Sequence, residues 1–544
     1  MKRAPDGKTE SLFLDITVRG ANLTEALQKA LDETLANLPI PKVMSYQLDD
    51  GWSTVKFVRP AHGLVALHGT KVLPVSLLGL KASNKTHGHR FEAKSAPIKL
   101  KSADSYEKQL EKEGAVITGF AKRREEIARQ LNDAAKKAKL KVIEDDALLD
   151  EVTALVERPN VLTGQFESEF LEVPQECLIL TMKANQKYFP LLDAHGKLSN
   201  KFLVVSNIRP KNPAKVIEGN ERVVRARLAD AKFFFDQDRK RPLLSHLEGL
   251  GKVVYHNKLG SQLDRVWRIE ALAEYVFEQL PATASATKQS IKEAAQLCKC
   301  DLLTLMVGEF PELQGIMGRY YALAENKNTE IAESIREHYL PRGAGDEFPT
   351  TMTGIALALA DKIDTIAGVF AIDQKPTGAK DPFGVRRAAI GLLRIIIERR
   401  LTIDLAALVA RAIELQPIKG NESVAKEIYD YIMERLRSYY LEDSKQLGIT
   451  TEMFDAVLDR RPQSPFDFDR RLRALHDFLK LPEAQSLAAA NKRIGNILRK
   501  SDQAPLVAVN SDLLRDPAEQ VLHEQVVAII KITEPLFAAR EYAQ

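Results

Sequence analysis

Three basic side chains within one short stretch, Arg222, Arg225 and Lys232, are spaced so that they fall on one side of a helix. A row of guanidinium and ammonium groups can neutralise phosphates, so the pattern is compatible with a surface that binds nucleic acid. The alternative is a solvated helix face over an apolar core. The spacing fits both interpretations, and the choice between them needs other features of the chain.

The helix that positions these side chains is predicted over residues 218–241. Its apolar residues recur at helical spacing and form a second face, made of Val224, Leu228, Ala231 and Phe235. The acidic Glu218 and Glu221 precede or open the helix, and the basic residues 239–241 close it, so the charges suit the helix dipole at both ends. The stretch therefore predicts an amphipathic helix with one cationic side.

A second basic pair, Arg386 and Arg387, opens an apolar helix after a turn rich in glycine and proline. Two arginines at the start of a helix oppose its dipole unless an anion lies there. A phosphate or a carboxylate from a partner would resolve this conflict. Asp381, which is placed to cap the helix, would also resolve it.

Two longer stretches carry a local excess of positive charge, although the net charge of the chain is only +4. Residues 121–141 hold eight Lys or Arg against three acids, and residues 459–500 hold ten against five. Both have helical patterns. Each therefore predicts either a basic stripe that contacts phosphates or a solvated helix face.

The composition is that of an ordinary soluble protein, with 45% hydrophobic and 28% charged residues. A chain of 544 residues is longer than a single hydrophobic core usually supports, so three or four domains are predicted. No stretch approaches the roughly 20 apolar residues that cross a bilayer, and the polar start carries no signal-peptide core, so a cytoplasmic location is expected. Cys298 and Cys300 are predicted to be buried thiols, because no second Cys or His pair lies at metal-ligand spacing.

The order of elements predicts a multidomain α+β fold. Short apolar runs rich in β-branched residues, separated by Gly, Asn and Asp, predict strands up to about residue 210, with helices between them. Beyond that point helical periodicity dominates to the end of the chain.

Several strings, in order along the chain, resemble the β subunit of the bacterial heterotetrameric glycyl-tRNA synthetase. They are LPIPKVM, FVRPAH, GHRF, TMKANQKYFP, GNERVVRARLADAKFFFDQDRK and KDPFGVRRA. The resemblance covers nearly the whole chain. Family members usually begin with a further segment that contains an EIGTEELP-like string and continue past EPLFAAREYAQ, so we expect this chain to lack the usual N-terminal segment and the far C-terminus.

The resemblance implies four parts. The first is an α+β domain over residues 1–210 that resembles the B3/B4 module of the phenylalanyl-tRNA synthetase β subunit, and the second is a helical connector over 211–285. The third is an HD-like helical domain over 286–410. The fourth, over 411–544, is a helical body with a DALR-like anticodon-binding bundle, which is expected to be incomplete.

Two histidines of the first part, His62 and His89, lie next to Arg59 and Arg90 in the sequence. They suggest either a polar pocket for phosphate or local capping of loops. In phenylalanine enzymes the related module edits mischarged tRNA, but no editing residue can be carried over to this chain.

Three aspartates of the third part, Asp301, Asp361 and Asp364, are spaced as in the HD phosphohydrolase fold, in which His and Asp side chains bind a metal. The residue before the first aspartate, where that fold needs a histidine, is Cys300. The resemblance therefore implies degenerate HD-like positions and no bound metal. The alternative is a metal-dependent phosphohydrolase.

The string ANKRIGNIL, at residues 490–498, resembles the DALR-type bundle of arginyl-tRNA synthetases. The resemblance implies that Lys492, Arg493 and Asn496 lie on or near a helix that faces tRNA, where Lys and Arg hold phosphates and Asn can bind the edge of an unstacked base. The alternative for Asn496 is a structural hydrogen bond between two helices.

The chain shows no HIGH, KMSKS, Walker or class II arginine motif, although activation of an amino acid requires a site for the phosphates of ATP. We therefore expect no catalytic residue here and a tRNA-binding role for the basic candidates. The family implies a catalytic α subunit in an α2β2 heterotetramer that attaches glycine to tRNA-Gly, with ATP and Mg²⁺ bound by α and neither DNA nor membrane as a partner. A tRNA-binding scaffold without a catalytic partner is a further alternative.

Overall fold

A computed structural model of the chain describes residues 2–6, 9–13, 20, 22–40, 42–282, 286–378, 380–441, 448–500, 509 and 511–542. The chain divides into two compact units, Met1–Lys232 and Phe233–Gln544. The first unit combines small sheets with helices, whereas the second is nearly all helical. The expected multidomain α+β fold is confirmed, and the division into four parts stays a prediction.

The strands of the first unit are short. They are β1 (Lys2–Asp6), β2 (Thr9–Phe13), β3 (Met44–Gln47), β4 (Thr54–Phe57), β5 (Leu64–Val65), β6 (Leu67–His68), β7 (Lys71–Val72), β8 (Ser76–Leu77), β9 (Leu80–Ser83), β10 (Lys85–Thr86), β11 (Ile98–Lys99), β12 (Lys141–Val142), β13 (Asn160–Gln165), β14 (Phe189–Leu192) and β15 (Leu198–Ser206). The helices that accompany them are α1 (Leu23–Asn37), α2 (Tyr106–Glu113), α3 (Phe120–Ala138), α4 (Asp146–Leu155), α5 (Gln175–Leu180) and α6 (Pro213–Asp238).

The best-formed sheet of this unit has the strand order β12-β14-β15-β13, and all its pairs are antiparallel. Helix α3 packs on the sheet, so that Ile127 and Leu131 join Phe189, Leu191 and Leu203 in one core. Burial of such side chains provides the main driving force for folding. The sheet also holds α6, because Glu221 accepts a hydrogen bond at 2.9 Å from the backbone N–H of Gln165 in β13.

One close approach in the sheet requires glycine. Gly164 of β13 lies opposite Phe202 of β15. A Cβ atom at Gly164 would come within 2.5 Å of the Phe202 ring, which is far inside van der Waals contact. The ring therefore packs directly over the glycine backbone.

The second unit begins with the end of α6 and two short 3-10 helices, Leu243–His246 and Glu248–Lys252, and continues with a small hairpin and a series of helices. Its elements are β16 (Val254–His256), β17 (Gly260–Ser261), α7 (Gln262–Phe277), α8 (Lys288–Leu297), α9 (Leu305–Glu309), α10 (Ile316–Ala324), α11 (Thr329–Glu337), α12 (Met352–Ala371), α13 (Val385–Glu398), α14 (Leu405–Leu415), α15 (Val424–Leu441), α16 (Thr451–Leu458), α17 (Pro465–Phe478), α18 (Glu483–Lys500) and α19 (Pro517–Ala538).

Helix α12 lies at the centre of this unit. All but two of its residues are buried, and α7, α11, α13 and α14 pack around it. A helix that is buried on nearly all sides needs such a shell of neighbours. Among the described residues, no helix combines the length and apolarity needed to span a membrane.

Helices α18 and α19 are packed very differently. Ala484 is the single buried residue of α18, and α19 has none among its described residues. Several of their apolar side chains are exposed: Leu487, Ile494, Ile497, Val521, Leu522, Ile529 and Ile532. The expected anticodon-binding-type bundle therefore stays a prediction.

The three cysteines are free and buried, as predicted for Cys298 and Cys300. Cys177 lies in the first unit, and the other two lie in the second. Burial disfavours a thiolate. It raises the pKa of all three thiols, to about 12 for Cys298.

Candidate nucleic-acid interface

Helix α6 carries the first set of predicted cations. Its predicted apolar face is confirmed, because Val224, Leu228 and Ala231 are almost fully buried. The predicted start at residue 218 is wrong, since the helix begins at Pro213. Proline suits the first position of a helix, and the side chain of Asn212 accepts a hydrogen bond from the backbone N–H of Ala214.

The cations of α6 are engaged by nearby acids. The Nη2 atom of Arg222 lies 3.3 Å from Glu218, which is one helical turn away. Arg225 and Lys232 reach back to the segment before α5, where they meet Glu167 at 2.7 Å and Glu172 at 3.4 Å. These pairs are exposed and hence weak, but they lower the positive charge available for phosphates.

Three of the eight cations of the predicted basic stripe over residues 121–141 are paired with acids. Lys122 contacts Glu111 at 2.7 Å, and Arg124 contacts both Asp146 and Asp150 at 2.5 Å. Arg129 lies between two acids of its own helix. The pairs of Arg129 thus stabilise α3 itself, and the pairs of Arg124 stabilise its packing on α4.

The basic pair at the start of α13, Arg386 and Arg387, has a nearby anion in Asp381. Asp381 accepts hydrogen bonds from the backbone N–H groups of Val385 and Arg386, both at 2.9 Å. The predicted capping role of Asp381 is thereby confirmed. The side chain of Arg386 donates to the carbonyl oxygen of Gly378, whereas Arg387 is exposed.

The last predicted set lies together on α18. Lys492, Arg493 and Asn496 line a shallow groove of about 340 Å³, which they share with Lys500. Asn496 accepts a hydrogen bond at 2.8 Å from Arg499 of the same helix, so it does not bridge to a second helix through that bond. Within the described residues no acid pairs with the cations of this groove. Their charge is therefore available to a phosphate.

The aspartates Asp361 and Asp364 lie in a buried charge cluster of the second unit. Asp361 meets Arg265 at 3.1 Å and Lys299 at 3.0 Å. Burial alone would raise the pKa of Asp361. The positive charges of Arg265 and Lys299 outweigh this effect and hold the pKa well below its ordinary value. Asp364 accepts a hydrogen bond at 2.6 Å from Nε of Arg268. Both carboxylates are therefore occupied by cationic side chains.

Asp301 is bound by backbone N–H groups, whereas Asp361 and Asp364 are bound by cationic side chains. One oxygen of its fully buried carboxylate accepts hydrogen bonds from the backbone N–H groups of Gly315 and Gly318, at 2.5 and 3.0 Å. Burial raises the pKa of Asp301 to about 6. Among the described residues, no group of three or more His, Cys, Asp or Glu side chains is arranged to hold a metal. The arrangement thus holds the turn before α10 and offers no support for the phosphohydrolase alternative.

The raised pKa of Asp301 predicts a pH effect. Unfolded Asp titrates near 3.8 and folded Asp301 near 6, so between these values the folded state binds more protons. The free energy of unfolding should therefore fall as pH rises from about 4 to about 6, by up to about 3 kcal/mol, relative to Asp301→Asn. Asparagine keeps an oxygen for both backbone donors. Denaturant unfolding of both proteins across this range is the measurement, and parallel pH profiles would contradict the expectation.

His89 has a structural role in the first unit. It is buried, and its Nδ1 atom accepts hydrogen bonds from the backbone N–H groups of Phe91 and Glu92, both at 3.2 Å. Its Nε2 atom lies 2.5 Å from the carbonyl oxygen of Asn207. His62 is exposed. Local capping, the second of the two interpretations, is confirmed for His89.

Sequence reasoning did not anticipate most of the partners of these side chains. Glu167 and Glu172, which engage α6, and Arg265, Arg268 and Lys299, which engage the aspartates, are all distant in the chain. One available signal was the position of Arg268 among the apolar residues of α7, since a buried arginine needs a counter-charge.

Comparisons with known proteins cover the whole chain. A family model described as the glycyl-tRNA synthetase beta subunit matches residues 1–459. A curated relative from Methylobacillus flagellatus, the "Glycine--tRNA ligase beta subunit", is 58% identical over 543 residues, which cover 100% of this chain and 76% of the relative. Relatives of the same name from Janthinobacterium sp. and Thiobacillus denitrificans are 56% and 54% identical, each over 100% of this chain and 76% of the relative.

The family model thus matches most of the chain, and these relatives share more than half of its residues along its full length. On these grounds, the chain belongs to the glycyl-tRNA synthetase beta subunit family.

Proposed function

We propose that this chain is the tRNA-binding subunit of a glycine tRNA ligase and works with a catalytic α subunit. The complete enzyme converts ATP, glycine and tRNA-Gly into glycyl-tRNA, AMP and diphosphate. The name shared by the relatives, a ligase β subunit, supports this assignment. The lack of adenylation motifs in the sequence supports the placement of ATP and Mg²⁺ in the α subunit.

The assembly is proposed to be an α2β2 heterotetramer in the cytoplasm, with tRNA-Gly as its nucleic acid and neither DNA nor membrane as a partner. Residues 1–210 are proposed to resemble a B3/B4 module, and residues 211–285 to form a helical connector. Residues 286–410 are proposed to be an HD-like domain without hydrolase chemistry, and residues 411–544 a helical body with a DALR-like bundle. The pairing of Asp361 and Asp364 with arginines supports this view of the HD-like part.

The observation that carries the proposal is the basic groove of α18. Lys492, Arg493 and Lys500 are exposed there beside Asn496, without acidic partners among the described residues. Such cations bind phosphates and release counterions, whereas an amide can bind the edge of an unpaired base. In contrast, Arg225 of α6 must first leave Glu167 before it can bind a phosphate.

Replacing Lys492 and Arg493 together by alanine should weaken binding of tRNA-Gly to the α2β2 enzyme by at least about tenfold at low salt. The slope of log affinity against log salt should fall by about one unit for each lost phosphate contact. Because both side chains are exposed, the fold should be unchanged. Fluorescence anisotropy with labelled tRNA over a salt series measures both quantities.

The matched control is the Arg222→Ala and Arg225→Ala double variant on α6. It removes the same number of cations, but from side chains that already contact Glu218 and Glu167, so its effect on affinity and salt slope should be smaller. A larger effect of the α6 variant than of the α18 variant would place the RNA-binding surface on α6 instead of α18. Unchanged binding by both variants would refute a role for either helix.

A further inference from the structure

The two edges of the four-stranded sheet in the first unit differ in their sequences. One edge strand, β12, is only two residues long and carries the charged Lys141, whereas the other, β13, has six residues. Residues 160–166, which contain β13, read NVLTGQF and include neither a charged residue nor a proline. A long, uncharged edge strand can pair with a strand of another molecule. The sequence of β13 itself therefore leaves this edge unprotected.

A side chain of α3 covers the start of this edge. The carboxamide oxygen of Gln130 accepts a hydrogen bond at 2.9 Å from the backbone N–H of Val161. The carboxamide nitrogen of Gln130 donates at 3.1 Å to the carbonyl oxygen of Pro159. An amide that both accepts from a strand and donates to the same chain segment takes the place of the peptide group of a neighbouring strand. The start of β13 is thereby closed to a further strand.

A side chain of α6 covers the other end of the same edge. Glu221 accepts a hydrogen bond at 2.9 Å from the backbone N–H of Gln165. Because the residues of a strand alternate, residues 161, 163 and 165 direct their N–H groups to the same side, away from β15. Two of these three outward N–H groups are thus occupied by side chains. Thr163, between them, is exposed and borders a groove of about 440 Å³ beside α3.

The strand that this edge would accept is β13 of a second copy of the chain. Antiparallel pairing of β13 with itself about Thr163 has twofold symmetry, so the outward N–H groups of each copy would face carbonyl groups of the other. We propose that Gln130 and Glu221 close the edge of β13 to strand pairing between two copies of this chain. Each copy then offers only the N–H of Thr163, which is too little for a ladder. This inference does not depend on RNA binding.

The test uses a reporter thiol at the centre of the edge. In the paired state, the Cα atoms of residue 163 in the two copies would lie about 5.5 Å apart, so a short bismaleimide can join two molecules of the full-length Thr163→Cys variant. The three native cysteines are buried, which keeps the background reaction low. The covalent dimer is measured on denaturing gels, and mass spectrometry confirms that residue 163 is joined in both copies.

The variant that opens the edge combines Gln130→Ala and Glu221→Ala with Thr163→Cys. At equal protein concentration it should give roughly tenfold more covalent dimer than Thr163→Cys alone, as expected if two further backbone hydrogen bonds can form between the copies. The difference should disappear on dilution, because pairing between two molecules depends on concentration. Equal yields from the two proteins, at a concentration where both are folded, would overturn the inference.

Two matched controls carry the same reporter. Glu221→Gln keeps an oxygen for the N–H of Gln165 and removes only the charge, so it should give no more dimer than Thr163→Cys alone. Gln175→Ala removes a similar bond from the inner strand β15, where Gln175 accepts at 3.0 Å from the N–H of Leu198. It measures the effect of a lost hydrogen bond without an opened edge. As much dimer from either control as from the opened variant would contradict the proposed role of the two side chains.

Folding of the variants is checked by thermal unfolding, since Glu221 also holds α6. If the double substitution unfolds the first unit, Gln130→Ala with Thr163→Cys decides, because it opens the start of the edge and leaves the bond of Glu221 in place. Its dimer yield should rise by about threefold, and an unchanged yield would overturn the inference. Hydrogen exchange of residues 160–166 without the reporter thiol should slow with rising protein concentration in the opened variant only. The same dependence on concentration in the wild type would show that its edge is open.

Discussion

Purified alone, the chain is expected to show no glycine-dependent exchange of pyrophosphate into ATP, whereas the same preparation mixed with the α subunit should glycylate tRNA-Gly. The physical reason is that adenylation requires preorganised groups around the phosphates of ATP, and the sequence has no motif for such a site. Radioactive pyrophosphate exchange and charging of tRNA-Gly are the two assays. The expected change on adding α is from background to full activity.

Each subunit must also be assayed alone as a control. Robust exchange by the isolated chain would contradict the proposed division of labour. A chain that binds tRNA-Gly but adds nothing to charging by the α subunit would instead fit the alternative of a tRNA-binding scaffold. The two outcomes are distinct, because the first concerns ATP chemistry and the second concerns coupling to α.

Replacing Asp364 by alanine should destabilise the second unit by about 3 to 5 kcal/mol. The side chain of Asp364 is fully buried and accepts hydrogen bonds from Arg268 at 2.6 Å and from Gln416 at 2.8 Å. Its loss would leave Arg268 charged inside the protein without a counter-ion, which is the costly case for a buried pair. Hydrogen exchange at the amides of α12, where Asp364 lies, would measure the effect locally.

The matched control is Glu414→Ala, which removes an acid from an exposed pair with Arg411 on α14. Its cost should stay below about 1 kcal/mol, because water solvates the arginine that remains. The Asp364 variant also tests the hydrolase alternative. A stably folded Asp364→Ala protein that had lost a metal-dependent phosphohydrolase activity would show that the aspartate is catalytic rather than structural.

Features set by neighbouring residues could be predicted from the sequence. The apolar face of α6 follows from the 3.6-residue spacing of Val224, Leu228 and Ala231, and the cap on α13 follows from the position of Asp381. The grouping of Lys492 with its neighbours on one helix was instead implied by the family resemblance, and α18 carries all of them. The start of α6 was predicted too late in the chain. The prediction relied on the acidic residues near residue 218 and overlooked Pro213, although proline favours the first position of a helix.

Features set by distant residues could not be predicted. Arg225 was placed correctly on a basic face, but Glu167, which engages it, is brought there by the fold of the first unit. Asp361 was considered as a degenerate metal ligand, whereas two cations from other segments of the second unit enclose it. Helical periodicity places a residue on a face but does not identify the partner opposite that face.

The buried thiols make the two units separately observable. Cys177 reports on the first unit and Cys298 and Cys300 on the second, and a thiol that is both enclosed and protonated reacts slowly with alkylating reagents. Alkylation of each cysteine therefore requires its own unit to open. Peptide mapping after timed exposure to iodoacetamide should give one opening rate for each half of the chain, without any engineered label.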